Sequence, residues 1–289
     1  MVAIEGLRLI GESINDSVPS TNKLFEANDI DGIVELARFQ DEKGADYIDV
    51  NVGLREPAFM ADMVRKVQEV TSKPLSIDTP DADIARAGLE AYDPDRACGA
   101  LPIVNSIAPT RLHMFDLYAV QPFMPILLSS EREEGGESRP NRTGAENYAS
   151  AKHLMQQARE RCGITAEQCI FDPGIAPIGS DTEGINKMVV ESLRLMHEDA
   201  EFEGAHRSVG LSNFTVMLPP KRADGSPVKS PLESAFLTLA MPLGLDTIIG
   251  SVKRNYQLLD PDDEALICLK EALDGEGHDG IMRVMAYYS

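Results

Sequence analysis

Residues 74–105 read PLSIDTPDADIARAGLEAYDPDRACGALPIVN, and they contain the unit from which the rest of the chain is built. Pro74 to Asp78 is a short apolar run that reads as a strand. Asp81 to Ala91 reads as a short helix, and Ala100 to Asn105 returns to strand. Both strands end on a polar group, Asp78 and Asn105. A parallel strand buried on both faces is close to continuously apolar, and a carboxylate or amide inside it is costly unless it is paired.

Working outward from this unit, the same alternation recurs in both directions. Before it come a strand at Leu7 to Glu12, a helix from Asp29 to Lys43 stopped by Gly44, a strand at Ala45 to Asn51 and a helix at Pro57 to Val70. After it come a helical segment from Pro109, a strand at Phe123 to Ser129, a helix at Arg142 to Cys162 and a strand at Gln168 to Asp172. Thr182 to His197 (helix), Ser208 to Asn213 (strand), Pro231 to Met241 (helix) and Leu245 to Ile249 (strand) follow, and Leu258 to Tyr288 is largely helical. Eight strands alternating with about eight helices predict an α/β chain folded as one (β/α)8 TIM barrel over residues 1–289. An open doubly wound sheet is the alternative, but Gly11-Glu12-Ser13-Ile14-Asn15 does not supply the G-x-G-x-x-G turn that such a sheet ordinarily carries after its first strand. The Pro/Gly-rich stretches at 134–144 and 219–231 fall between consecutive units and are expected to be barrel loops.

In a barrel the C-terminal ends of all strands open on one face, where active sites are built. Asn15, Asn51, Asp78, Asn105, Asp172 and Asn213 are therefore expected to converge. Taken singly, each could cap the next helix or stabilise a turn; as a set they read better as one site. A ring of carboxylates and amides without strong cations suits a neutral, donor-rich heterocycle. An ionised Asp accepts two parallel hydrogen bonds from an amino group and an adjacent ring N–H, and Asn supplies a donor and an acceptor together. Lys221, Arg222, Lys253 and Arg254 read as solvated loop features or partner contacts rather than as a phosphate clamp.

Other chemistries fit less well. With 47 acidic and 27 basic residues the net charge is −20, which repels polyanions and argues against a nucleic-acid partner. No window approaches 18 uncharged apolar residues, and MVAIEGLRLIGESIN at 1–15 lacks the basic region and apolar core of a secretion signal, so a cytoplasmic chain without a membrane span is expected. Cys98, Cys162, Cys169 and Cys268 are widely spaced and contain no C-x-x-C, which fits reduced thiols. The five histidines form no zinc motif, so no metal is expected, and no G-x-S-x-G marks a serine nucleophile. Asp78 with Asp172 could act as a glycosidase-like pair, although a chain without Trp has little material for stacking sugars.

GESIN at 11–15, DVNVG at 49–53, SIDTP at 76–80, IVNS at 103–106, FDPGIAP at 171–177 and GLSNFT at 210–215 resemble, in order, the pterin-binding methyltransferases that take a methyl group from methyltetrahydrofolate. The resemblance covers the whole barrel to its last strand and is greatest to those that act on corrinoid proteins. It implies that Asp78 and Asp172 hold the amino-pyrimidine edge of the pterin with Asn105 beside them. Asn15 and Asn51 would line the same mouth, the Ser106 hydroxyl would lie near the ring, and Asn213 would reach N5, the nitrogen bearing the methyl group. It further implies tetrahydrofolate and 5-methyltetrahydrofolate as substrates, a cobalamin-type corrinoid carried by a partner protein, and a homodimer. Asn213 and Asp172 are then the expected catalytic residues. Two segments depart from the pattern, LLSSEREEGGES at 127–138 and PPKRADGSPVKS at 219–230, and both are expected to rim the mouth where a partner docks. A dihydropteroate synthase-like reaction is the alternative within the superfamily, but its first-strand signature and its basic final-strand motif are missing. A non-catalytic folate-binding protein is the remaining reading.

Overall fold

A computed structural model describes residues 4–289; Met1 to Ala3, the start of the segment read for a secretion signal, lie outside the described residues. The order of elements is β1 (Arg8–Asn15), α1 (Pro19–Glu26), α2 (Ile30–Glu42), β2 (Tyr47–Asn51), α3 (Pro57–Gln68), β3 (Leu75–Asp78), α4 (Ala82–Ala91), β4 (Ile103–Ile107) and β5 (Met124–Leu128). There follow β6 (Glu131–Glu134), β7 (Glu137–Pro140), α5 (Gly144–Cys162), β8 (Ile170–Asp172), α6 (Ile185–Glu198), β9 (His206–Gly210), α7 (Leu211–Phe214), α8 (Lys229–Ala240), β10 (Thr247–Gly250), α9 (Glu264–Asp274) and α10 (His278–Tyr288). All strands but β6 and β7 are parallel and close in the order β1-β10-β9-β8-β5-β4-β3-β2. The chain is a (β/α)8 barrel, as its alternation predicts.

Two apolar layers hold it. The larger lies between the outer face of the sheet and the surrounding helices. In α4, for example, Asp81 caps the Asp83 and Ile84 amides, and Ile84, Ala85, Gly88 and Leu89 form the buried stripe. The smaller lies inside the barrel, where Ile10, Ile103, Ile126 and Ile170 meet Tyr47, Met124 and Ile249. Each isoleucine buried there is worth about 2 kcal/mol. Because side chains alternate with period two along a strand, the next inward position beyond this plug is Glu12 on β1, Asp49 on β2, Asn105 on β4 and Asp172 on β8. The apolar plug is therefore the floor of a polar chamber that opens at the C-terminal ends of the strands.

Three local readings need correction. The first strand extends to Asn15, and the helix α1 after it was not foreseen; Pro19 sits at its start, a favourable place for a residue without an N–H. The segment after β5 is not a plain loop. Glu131–Glu134 and Glu137–Pro140 pair as an antiparallel hairpin closed by Gly135 and Gly136, whose φ values of 64° and 86° are those a tight two-residue turn demands. Its Glu-rich strands have low β-propensity, which hid them, although the Gly-Gly pair was the available signal. Third, β9 ends at Gly210, so Leu211 and Phe214 turn inward from a short helix and Asn213 stands beyond the strand rather than at its tip.

Candidate functional site

The chamber brings together most of the residues singled out in the sequence. Asn51 ends β2 and donates from Nδ2 to Asp78 Oδ2 at 2.9 Å, while its Oδ1 accepts the Gly53 N–H at 2.9 Å. Asp78 ends β3 in register with Asn105 on β4. Asp172 ends β8, where its Oδ1 accepts the Gly174 N–H at 2.8 Å and its Oδ2 the Ser208 hydroxyl at 3.3 Å. Gly174 is needed there: its φ is +79°, and a Cβ would lie 2.4 Å from the Ser130 side chain. Ser106 follows Asn105, and Arg111 Nη2 stands 3.4 Å from its hydroxyl.

Burial governs the acids. It pushes the Asp172 carboxyl up to about 6, against the two hydrogen bonds that lower it. Asp78 is raised for the same reason, moderated by the hydrogen bond from Asn51 and by the neighbouring Asp49. The hydrogen bonds to Asp78 and Asp172 come from neutral groups, the Asn51 amide, the Gly174 N–H and the Ser208 hydroxyl. Carboxylates left in low dielectric with few donors are held ready for N–H groups supplied from outside. The residues present thus fit the amino-pyrimidine edge of a pterin, which offers an amino group beside a ring N–H.

Asn15 and Asn213 are placed differently. Asn15 is in register with Asn51 at the mouth, but its Oδ1 accepts the Ser17 N–H at 2.8 Å, so the turn-stabilising alternative also describes it. Asn213 is exposed on α7 with its amide folded over Gly210, where a Cβ would lie 2.9 Å from Nδ2. It faces the rim and is not part of the Asn51–Asp78 network.

Sequence reasoning missed four contributors. Asp49 and Ser76 lie buried beneath Asp78. Glu12, inward on β1, is raised by burial, with the Ser212 hydroxyl lowering it and Glu233 and Arg254 nearby. Glu233 on α8 is fully buried, bonded to the Thr215 hydroxyl and 3.2 Å from Arg254 Nε. Arg254 is therefore an internal counter-ion for Glu233 and not a solvated loop feature, and with Arg111 it corrects the expectation of a mouth free of strong cations. Period two from Tyr47 would have pointed to Asp49; nothing local in the sequence linked Arg254 to Glu233. Among the described residues no cluster of His, Cys, Asp or Glu has metal-binding geometry, and no helix is long and apolar enough to cross a membrane.

Comparison with known proteins places the chain in a family. A methylcorrinoid:tetrahydrofolate methyltransferase from Eubacterium limosum is 27% identical over 255 residues, covering 83% of each chain. Dihydropteroate synthase from Xanthomonas albilineans bound to 4-aminobenzoic acid superposes with a TM-score of 0.60 at 18% identity, covering 94% of this chain and 93% of that one. The same enzyme in complex with 7,8-dihydropteroate gives 0.55 at 16% identity, covering 99% and 94%. At these identities the two structures show a shared fold. The model of the pterin binding enzyme family matches residues 14–250, from the end of β1 to the end of β10, and the chain belongs to that family.

Proposed function

We propose that the chain is a methyltransferase that moves the N5 methyl group between methyltetrahydrofolate and the Co(I) corrinoid of a partner protein. The observation that carries the reading is the polar chamber of Asn51, Asp78, Asn105 and Asp172, whose acceptors match the N–H edge of a pterin. The named methyltransferase relative adds the reaction class. In this account Asp78 and Asp172 orient the flat ring, with Asn105 beside them and Ser106, Asn15 and Asn51 lining the mouth. Fixing the ring turns the encounter with the methyl acceptor into a preorganised one.

Transfer is an SN2 displacement: the N5–CH3 bond breaks as the methyl group bonds to cobalt, and N5 leaves with the electron pair and gains a proton. Neutral nitrogen is a poor leaving group, so a hydrogen bond that strengthens at N5 lowers the barrier selectively. Asn213 at the rim is assigned that hydrogen bond. An amide cannot yield the proton, which comes from solvent or through Asp172.

The rim suits a protein partner. Leu54 and Met217 are 92% and 71% exposed on the loops after β2 and β9, and Val18 and Val216 are exposed on the segments after β1 and β9. Exposed apolar groups around a polar mouth favour a docking surface. The reading places the chain in the cytoplasm and takes it to act as a homodimer, which sedimentation would check. Purified protein should transfer methyl from methyltetrahydrofolate to cob(I)alamin; folate binding without transfer would leave the non-catalytic folate-binding reading, and condensation of a pterin with an arylamine would favour the synthase-like one.

A further inference from the structure

Asp49 is a deeply buried acid of the chamber, 1% exposed, and no neighbour donates to either of its oxygens in full hydrogen-bond geometry. It is in register with Ser76 on β3, whose hydroxyl is also buried and without a partner. The next inward residue on β3 is Asp78, and Asn105 on β4 stands in register with that. The groups that face Asp49 are therefore Ser76 and Asp78 from β3, Asn105 from β4, Asn51 from its own strand and the inward Glu12 from β1 on its other side, and none is cationic. Two adjacent carboxylates, Asp49 buried and Asp78 half-buried, do not readily both ionise without a cation beside them. Asp78 is the one supported as an anion, because Asn51 donates to it at 2.9 Å.

We propose that Asp49 is a positioning residue that holds one proton against Asp78, so that the pair carries a single negative charge and Asp78 keeps its carboxylate turned to the ligand. The last clause rests on the pterin-binding reading; the shared proton does not. One proton resolves the geometry: a neutral Asp49 donates to Asp78 and needs no external donor. Burial and then the Asp78 charge raise the Asp49 carboxyl well above the ordinary range despite the nearby Ser76 and Asn105, which lower it, whereas Asn51 and then Asp49 lower Asp78. The proton therefore resides on Asp49.

The test compares wild type with Asp49→Asn, which cannot titrate but can donate to Asp78 from the same place, and with Asp49→Ala, which cannot donate. Urea unfolding of the ligand-free protein is measured from pH 4 upward. The unfolded wild-type chain releases the Asp49 proton above about pH 4 while the folded chain keeps it, so the wild-type folding constant should fall relative to Asp49→Asn by about tenfold per pH unit until the pair itself titrates. Parallel curves would overturn the proposal. Affinity for 5-methyltetrahydrofolate, read by calorimetry at pH 7, should drop at least about tenfold in Asp49→Ala, the loss of a hydrogen bond to a charged group, and be restored in Asp49→Asn. No restoration would show that an anionic Asp49 is required and would equally overturn it. Wild type that binds no folate would refute the functional reading, and the unfolding comparison would still decide where the proton lies. If Asp49→Ala does not fold, Asp49→Asn alone carries both measurements.

Discussion

Replacing Asp172 by Asn should make the protein more stable and a worse ligand-binder, with both effects set by the same buried charge. Asp172 is 6% exposed, and burial pushes its carboxyl from 3.8 to about 6. A carboxyl whose folded value lies above its unfolded value contributes fully to stability below the unfolded value, near pH 4. That contribution is lost as pH rises through about 6. At about 1.4 kcal/mol per pH unit, the ionised side chain destabilises the fold by about 3 kcal/mol at pH 7.5. Asparagine preserves both local contacts, since its oxygen can accept from Gly174 and its amide can donate to Ser208. Urea unfolding should find the variant more stable by up to about 3 kcal/mol at pH 7.5 and indistinguishable or slightly weaker at pH 4. Pterin affinity should fall about 10- to 100-fold, the loss of hydrogen bonds to a charged acceptor. A variant less stable than wild type at pH 7.5, or a difference that does not change with pH, would refute the claim that this site holds an uncompensated carboxylate.

Other perturbations separate the remaining roles. Asn213→Ala should lower the single-turnover rate of methyl transfer about a hundredfold while leaving folate affinity within a few-fold; equal losses in both would reduce Asn213 to a ground-state contact. Gly174→Ala forces a Cβ into the Ser130 side chain at a positive φ. It should cost at least about 1–2 kcal/mol in urea unfolding and weaken pterin binding with it, because the Gly174 N–H fixes Asp172; full wild-type stability would show that the turn relaxes freely. Arg254→Met leaves Glu233 buried without its counter-ion, and should destabilise by roughly 3 kcal/mol at pH 8 but less at pH 5, where a neutral Glu233 is better tolerated. Adding Glu233→Gln should recover most of the loss, and no recovery in unfolding experiments would assign the effect to packing of the guanidinium.

The barrel was legible because its cause is local. Buried parallel strands must be apolar, and the polar residues that interrupt them at Asp78, Asn105 and Asp172 mark the places where strands emerge at the mouth. What stayed hidden depended on contacts between distant segments. Glu233 lies on α8 and Arg254 in the loop after β10, and no spacing rule connects them. Asp49 was overlooked for a different reason. Within YIDVN the terminal Asn51 drew attention as the strand end, although period two points Tyr47, Asp49 and Asn51 into the same lumen. SVGLSN at 208–213 is apolar enough at its start to predict a strand ending on Asn213, yet Leu211 and Phe214 are buried on a helical turn that leaves the asparagine at the rim.

The central claim is that this mouth transfers a methyl group from a folate to a corrinoid cobalt. The most direct measurement mixes the purified protein with 5-methyltetrahydrofolate and cob(I)alamin under reducing, anaerobic conditions and follows the cobalt absorbance while tetrahydrofolate is quantified. The account predicts conversion of cob(I)alamin to methylcobalamin with one tetrahydrofolate formed per methyl group transferred, and a rate that collapses in Asn213→Ala. Binding of methyltetrahydrofolate with no change at cobalt, either to free cob(I)alamin or to a reduced corrinoid protein, would contradict it.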